Sequence, residues 1–248
     1  MARCRVAARP RTQVPEGKTG QMRAHDIRVD PARSALVVVD MQNDFCDPTG
    51  YYARAGRDVS ALRATIDPVR RLRDRASAAG LPVVFTRLLH DADRGPMEQR
   101  HRLVPRRWTA QGSRLEPGSW GAEIVAGLAP RTDEQVIDKA GYSAFDGTSL
   151  ERWLRDRDIT TLLLAGVVGY ACVLATGFAA FDRDFDVVVV SDAVGNWEPG
   201  LGESALSIVD LLLGHALATD QIVFQPKQGS DEQVGREANQ DKTTKGIG

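Results

Sequence analysis

The chain has 248 residues, 42% hydrophobic and 26% charged, with 32 Lys and Arg against 33 Asp and Glu. That length supports one large domain with a substantial core or two small ones, and a formal net charge of -1 excludes a general attraction to nucleic acid or anionic membrane. The three cysteines, Cys4, Cys46 and Cys172, are too few and too scattered for a disulfide framework or a four-ligand zinc site, which makes a reducing compartment the default.

In chain order, residues 1 to about 25 carry Arg3, Arg5, Arg9 and Arg11 before the first acid, Glu16. They read either as a disordered tail loosely like a transit peptide or as sequence upstream of a start at Met22. Residues 225–248 are polar and are also expected to be disordered, leaving 26–224 as one domain. No apolar run approaches the roughly 18 residues needed to cross a bilayer, so the expected location is the cytoplasm. Within the domain the periodicity predicts strands at 35–39, 82–86, 135–137, 161–165, 187–190 and 221–224. Helices are predicted at 58–79, capped by Asp58, ended by Gly80 and bent by Pro68, and at 119–128, 148–155, 171–181 and 203–218. Uninterrupted apolar runs such as Leu162-Leu163-Leu164 and Val187-Val188-Val189-Val190 suit strands buried on both faces. The expected fold is a doubly wound α/β domain with a six-stranded, mainly parallel sheet and helices on both faces. The connection from about Leu88 to Pro117 is too long for a simple turn, and such loops often cover an active site.

Ligands of an open parallel sheet gather at the carboxyl ends of its strands. There this sequence places Asp40 after the first strand, Lys139 after the third and Cys172 after the fourth, where a loop leads into a helix. Each has an ordinary structural explanation: a turn residue, a solvated amine, a small hydrophobe. A helix N-terminus and a nearby cation would lower the pKa of the Cys172 thiol. Of the basic residues 27 are Arg and 5 are Lys, and Lys139 is the only lysine between Lys18 and Lys227. Compositional bias and a position that requires an amine both account for that.

Three segments together are similar to the isochorismatase-like cysteine hydrolase family: Val38-Val39-Asp40-Met41-Gln42-Asn43-Asp44-Phe45; Val136-Ile137-Asp138-Lys139 with Tyr142-Ser143-Ala144-Phe145; and Gly166-Val167-Val168-Gly169-Tyr170-Ala171-Cys172-Val173. The resemblance spans roughly residues 33–224. It implies a Cys-Asp-Lys triad of Cys172, Asp40 and Lys139, a cis peptide between Val167 and Val168, and an oxyanion hole from the backbone N–H groups of Val168 and Cys172. It implies covalent catalysis through a thioester, with no metal or organic cofactor. Where relatives commonly have Thr this chain has Gly169, which puts any bracing hydroxyl there in doubt.

The presence of Cys172 favours C–N cleavage over the vinyl-ether cleavage of members that lack the nucleophile. The stretch 117–124, with 142–145, is similar to the ureidoacrylate amidohydrolase branch, and the implied substrate is a small ureido compound or carboxamide. Asn43, Phe45, Trp120, Tyr142, Phe145 and Tyr170 are candidate substrate contacts, each aromatic being equally readable as core. A vinyl-ether hydrolase and a catalytically weak binding or accessory member are the alternatives. His90, Asp91 and Asp93 only faintly echo the metal cluster of nicotinamidase-type members, because a histidine pair is missing. Gly17-Lys18-Thr19 lacks the upstream glycine of a phosphate loop, Gly200-Leu201-Gly202 has no dinucleotide fingerprint around it, and His215 reads as a helical histidine. No nucleic acid or membrane partner is expected, while the resemblance suggests a homo-oligomer, dimer or tetramer, with a helical interface.

Overall fold

A computed structural model describes residues 26–90 and 114–225. The predicted N-terminal tail, the C-terminal one beyond Gln225 and most of the long 88–117 connection, including Asp91 and Asp93, lie outside the described residues. Six parallel strands form the central sheet. In chain order they are β2 (Ser34–Val39), β3 (Val83–Leu88), β4 (Gln135–Lys139), β5 (Thr161–Val167), β6 (Asp186–Gly195) and β7 (Gly214–Leu217), arranged β4-β3-β2-β5-β6-β7. β1 (Ile27–Val29) and β8 (Ile222–Phe224) pair in parallel as a separate two-stranded sheet.

The sheet is parallel because its strands can be dry on both faces. Along β2 every residue is buried, and alternation sends Leu36 and Val38 into one core and Ala35, Val37 and Val39 into the other. The first core is covered by the helix Ile66–Ala79 through Val69, Leu72 and Ala76; the second by Leu150 and Leu154 of the helix Leu150–Arg155 and Ala180 of the helix Leu174–Phe181. Arg73, buried in the first helix, is held by Glu134 through an Nε to Oε1 hydrogen bond of 2.7 Å and donates to the Ala129 carbonyl at 3.0 Å, clamping the approach to β4.

Several predicted elements are corrected. The sixth strand of the main sheet is β7, whose residues were expected to continue the 203–218 helix; the predicted 221–224 strand belongs to the small sheet instead. The helix Pro199–Ile208 passes through a π turn, Val209–Leu213, and Gly214 then opens the strand. A Cβ at Gly214 would lie 2.0 Å from the Val187 carbonyl oxygen, so only glycine lets the chain enter the sheet beside β6. His215 is accordingly a strand residue. The predicted 58–79 helix is two, Ser60–Ala64 and Ile66–Ala79, broken at Thr65, whose hydroxyl donates to the Leu62 carbonyl at 2.6 Å. Pro68 therefore sits in a first turn, where its missing N–H leaves no bond unmade, and bends nothing. Residues 119–128 form only the short 3₁₀ turns Trp120–Ala122 and Ala126–Leu128.

Candidate active site

Asp40 follows β2 in a left-handed conformation (φ 50°) and is fully buried. Thr86, on the neighbouring strand β3, donates its hydroxyl to Asp40 Oδ1 at 2.7 Å. On the next strand, alternation turns Asp138 outward to an ion pair with Arg87 and Lys139 inward. Lys139 Nζ lies 2.7 Å from Asp40 Oδ2 and donates to the carbonyls of Gly141 and Tyr142 at 2.9 and 3.1 Å. Both charged side chains are sealed from solvent.

The third component comes from beyond β5. The Val167–Val168 peptide is cis, and the chain then coils through a π turn, Gly169–Val173, into the helix Leu174–Phe181. Cys172 stands in that turn, buried, its thiol close enough to Asp40 and Lys139 for both to act on it electrostatically. Thr176 donates to the Cys172 carbonyl at 2.7 Å and accepts from the Ala144 N–H at 3.1 Å, joining the turn to the loop after β4.

The electrostatics correct the expected activation of the thiol. Burial pushes the Cys172 thiol up to about 12, the adjacent Asp40 carboxylate adds to the rise, and Lys139 only partly opposes them. Burial and the neighbouring carboxylate thus favour a neutral Cys172 thiol. Burial would depress the Lys139 ammonium, but the charges of Asp40 and Cys172 and the close contact with Asp40 outweigh it and hold its pKa above the ordinary lysine value.

The predicted contact residues divide. Trp120 and Tyr142 are about half exposed, at 48% and 50%, and rim the site, their backbone carbonyls touching Asn43 and Lys139. Tyr170 is half-buried near Arg57; burial raises its pKa, Arg57 opposing and Glu198 adding. Asn43 is a tie between loops, its Nδ2 donating to the Trp120 carbonyl at 2.8 Å. Phe145 is core, packed 5.8 Å from Phe185 under Arg183, and Phe45 stacks on Tyr52 at 5.1 Å and leans on Trp197 at 6.0 Å. A large ring and a wall of a pocket look alike in sequence; neighbours on other elements separate them.

Sequence reasoning passed over the residues that hold this site together. Asp44, buried, accepts from the N–H groups of Tyr51 at 2.9 Å and Leu115 at 2.7 Å. Gln42 donates to the carbonyls of Leu88 and Ala122 and accepts from the Leu88 N–H. The signal was the run of four polar residues, Asp40, Gln42, Asn43 and Asp44, directly after an apolar strand, all of them buried. His90 N–H donates to the Leu115 carbonyl, and among the described residues no group of three or more His, Cys, Asp or Glu is arranged to hold a metal.

Residues 34–221 match the model of the isochorismatase domain family. The chain belongs to the isochorismatase family. Within that family it is 33% identical over 203 residues to the ureidoacrylate amidohydrolase RutB of Methylobacterium radiotolerans, covering 77% of this chain and 79% of that protein. Among solved structures it is similar to a cysteine hydrolase from Pseudomonas syringae pv. phaseolicola, at a TM-score of 0.67 and 26% identity over 78% of this chain and 92% of the other. The N-carbamoylsarcosine amidase of Thermoplasma acidophilum gives a TM-score of 0.61 at 28% identity, covering 76% of this chain and 97% of that one. Both likenesses agree with the α/β fold expected from the sequence. This isochorismatase-family chain has no helix among its described residues long and apolar enough to cross a membrane.

Proposed function

We propose that this protein is an amidohydrolase that uses Cys172 as its nucleophile on a small ureido or N-carbamoyl compound. The reading is carried by one observation, the solvent-sealed pair of Asp40 and Lys139 with the Cys172 thiol buried within electrostatic reach of both, three groups brought together from three separate strand ends. Relatives named as an amidohydrolase and as an N-carbamoyl amidase support the substrate class.

The chemistry follows from the geometry. Because the thiol is protonated at rest, attack and deprotonation are coupled: Asp40 takes the proton as the sulfur bonds to the carbonyl carbon. Charge passes from the carboxylate to the carbonyl oxygen, and the Val168 and Cys172 N–H groups are the donors proposed to receive it. Lys139 keeps its proton throughout and offsets whichever anion, carboxylate or thiolate, faces it. When the C–N bond breaks, Asp40 returns the proton to the departing nitrogen, releasing ammonia or an amine. Water then attacks the thioester with Asp40 again as base, and the thiol is restored.

An ammonia-release screen over ureidoacrylate, other ureido acids, N-carbamoyl amino acids, biuret and simple carboxamides tests the proposal, with Cys172→Ala and Cys172→Ser beside the parent. Turnover by the parent and loss of about 10⁴-fold or more in both variants is expected, since removing a nucleophile leaves only binding and oxyanion effects. Undiminished ammonia release in Cys172→Ala would remove the cysteine mechanism; turnover of isochorismate with none of the nitrogen compounds would favour the vinyl-ether reading.

A further inference from the structure

The turn that carries Cys172 is held on its C-terminal side by Thr176, but Gly169 gives it no side chain of its own on the other. Within the turn, the Val168 carbonyl accepts from the N–H groups of Ala171 at 3.0 Å and Val173 at 3.2 Å. The Tyr170 N–H, two residues before the sulfur, points out of the turn instead and donates to Asn196 Oδ1 at 3.1 Å.

Asn196 reaches that position because β6 runs on to Gly195, past a register shift against β5 at Leu164 and Gly166, so that the chain leaves the sheet beside the turn. Its amide occupies space that two glycines leave. A Cβ at Gly169 would lie 2.5 Å from Asn196 Oδ1 and 2.6 Å from Val194 Cγ1; a Cβ at Gly202, in the helix Pro199–Ile208, would lie 2.6 Å from Asn196 Nδ2 and 2.8 Å from its Cγ. The two glycines and Asn196 border one small cavity, otherwise lined by apolar side chains such as Val173, Leu174 and Leu206. Any side chain at 169 or 202 displaces the amide, and displacing the amide releases the Tyr170 N–H.

We infer that Asn196 is a positioning residue for the nucleophile: seated between Gly169 and Gly202, it fixes the Tyr170 peptide and through it the placement of the Cys172 sulfur and backbone N–H. The inference rests on Cys172 being the nucleophile. The missing side chain at 169 is thus not a defect of the site, since the brace arrives from the end of β6.

Three measurements on the full chain test this with Asn196→Ala, Asn196→Asp, Gly202→Ala, the double variant N196A/G202A, and Cys172→Ala. In ammonia release from ureidoacrylate, Asn196→Ala should lower kcat by about 10- to 100-fold with KM within about twofold, as a small misplacement of a reacting group does. Asn196→Asp, which keeps the acceptor, should recover most of the loss. Backbone amide exchange of peptides spanning residues 168–174 should quicken about tenfold in Asn196→Ala, the worth of one lost hydrogen bond, and stay near the parent rate in Asn196→Asp. Gly202→Ala should lower Tm by about 3 °C or more in the parent and by under about 1 °C in the Asn196→Ala background, because the closest atoms a Cβ at 202 would meet are Nδ2 and Cγ of the Asn196 amide. Parent-like exchange and kcat in Asn196→Ala, or an equal Tm loss from Gly202→Ala in both backgrounds, overturns the inference. The exchange and melting readouts need no substrate, so if Cys172→Ala retains turnover, the nucleophile reading fails while these two still decide the role of Asn196.

Discussion

Lys139 Nζ stands 2.7 Å from Asp40 Oδ2, with neither side chain open to solvent. The two remaining donors of the ammonium are spent on the Gly141 and Tyr142 carbonyls, so the amine ties a loop to the acid as well as neutralising it. Arginine cannot reproduce this: its planar fork is larger and its donors diverge at fixed angles. Lys139→Arg is expected to lose about 10²-fold or more in kcat/KM. Lys139→Met leaves a buried carboxylate unpaired and should cost about 3–5 kcal/mol of stability. Chemical denaturation and steady-state kinetics read the two effects separately, and parent-like kinetics in Lys139→Arg would show the lysine to be incidental.

The thiol and its base predict opposite signs for alkylation and turnover. With the Cys172 thiol raised to about 12 by burial and by Asp40, the rate of iodoacetamide modification at Cys172 should keep climbing with pH beyond 9 without levelling. Replacing Asp40 with Asn removes the second cause of that rise while Lys139 remains, so modification of Cys172 should quicken at any given pH even as amidase activity disappears. Cys46 is raised to about 12 chiefly by its own burial, with Asp40 the smallest of the contributing charges, so it should quicken far less than Cys172 on Asp40→Asn and serves as the comparison. Mass mapping that finds the Cys172 rate already level at pH 7 to 8 would contradict the neutral-thiol site.

Asp44 predicts a structural variant at a distance in sequence. A Cβ at Gly121 would lie 2.4 Å from the Asp44 carboxylate atoms, which themselves hold the N–H groups of Tyr51 and Leu115. Gly121→Ala should therefore loosen the joint between residues 42–51 and 115–125 and destabilise the chain by about 1–3 kcal/mol, the scale of overpacking. Asp44→Asn keeps one acceptor and should cost less than Asp44→Ala. Equal melting temperatures for Gly121→Ala and the parent would show that the joint yields freely.

What could be read from the sequence was whatever one strand or one strand end decides by itself. Apolar runs long enough to be dry on both faces announced a parallel sheet, and such a sheet collects its chemistry at its carboxyl edge, which brought Asp40, Lys139 and Cys172 into one view before any distance was known. Other properties depend on what a residue meets from elsewhere in the chain. The strand Gly214–Leu217 exists because glycine lets the backbone close on Val187, a contact no periodicity records. Phe45 and Phe145 became core through Tyr52, Trp197 and Phe185. The thiol pKa turned upward because full burial beside a carboxylate outweighs the helix end and the lysine, a balance of solvation that only packing sets. Gly169 looks like a missing part in sequence, but Asn196, 27 residues further along the chain, holds the Tyr170 N–H. The sequence by itself determined which groups could react; the tertiary structure decided their protonation and what holds them in place, because desolvation and steric fit are sums over neighbours distant in sequence.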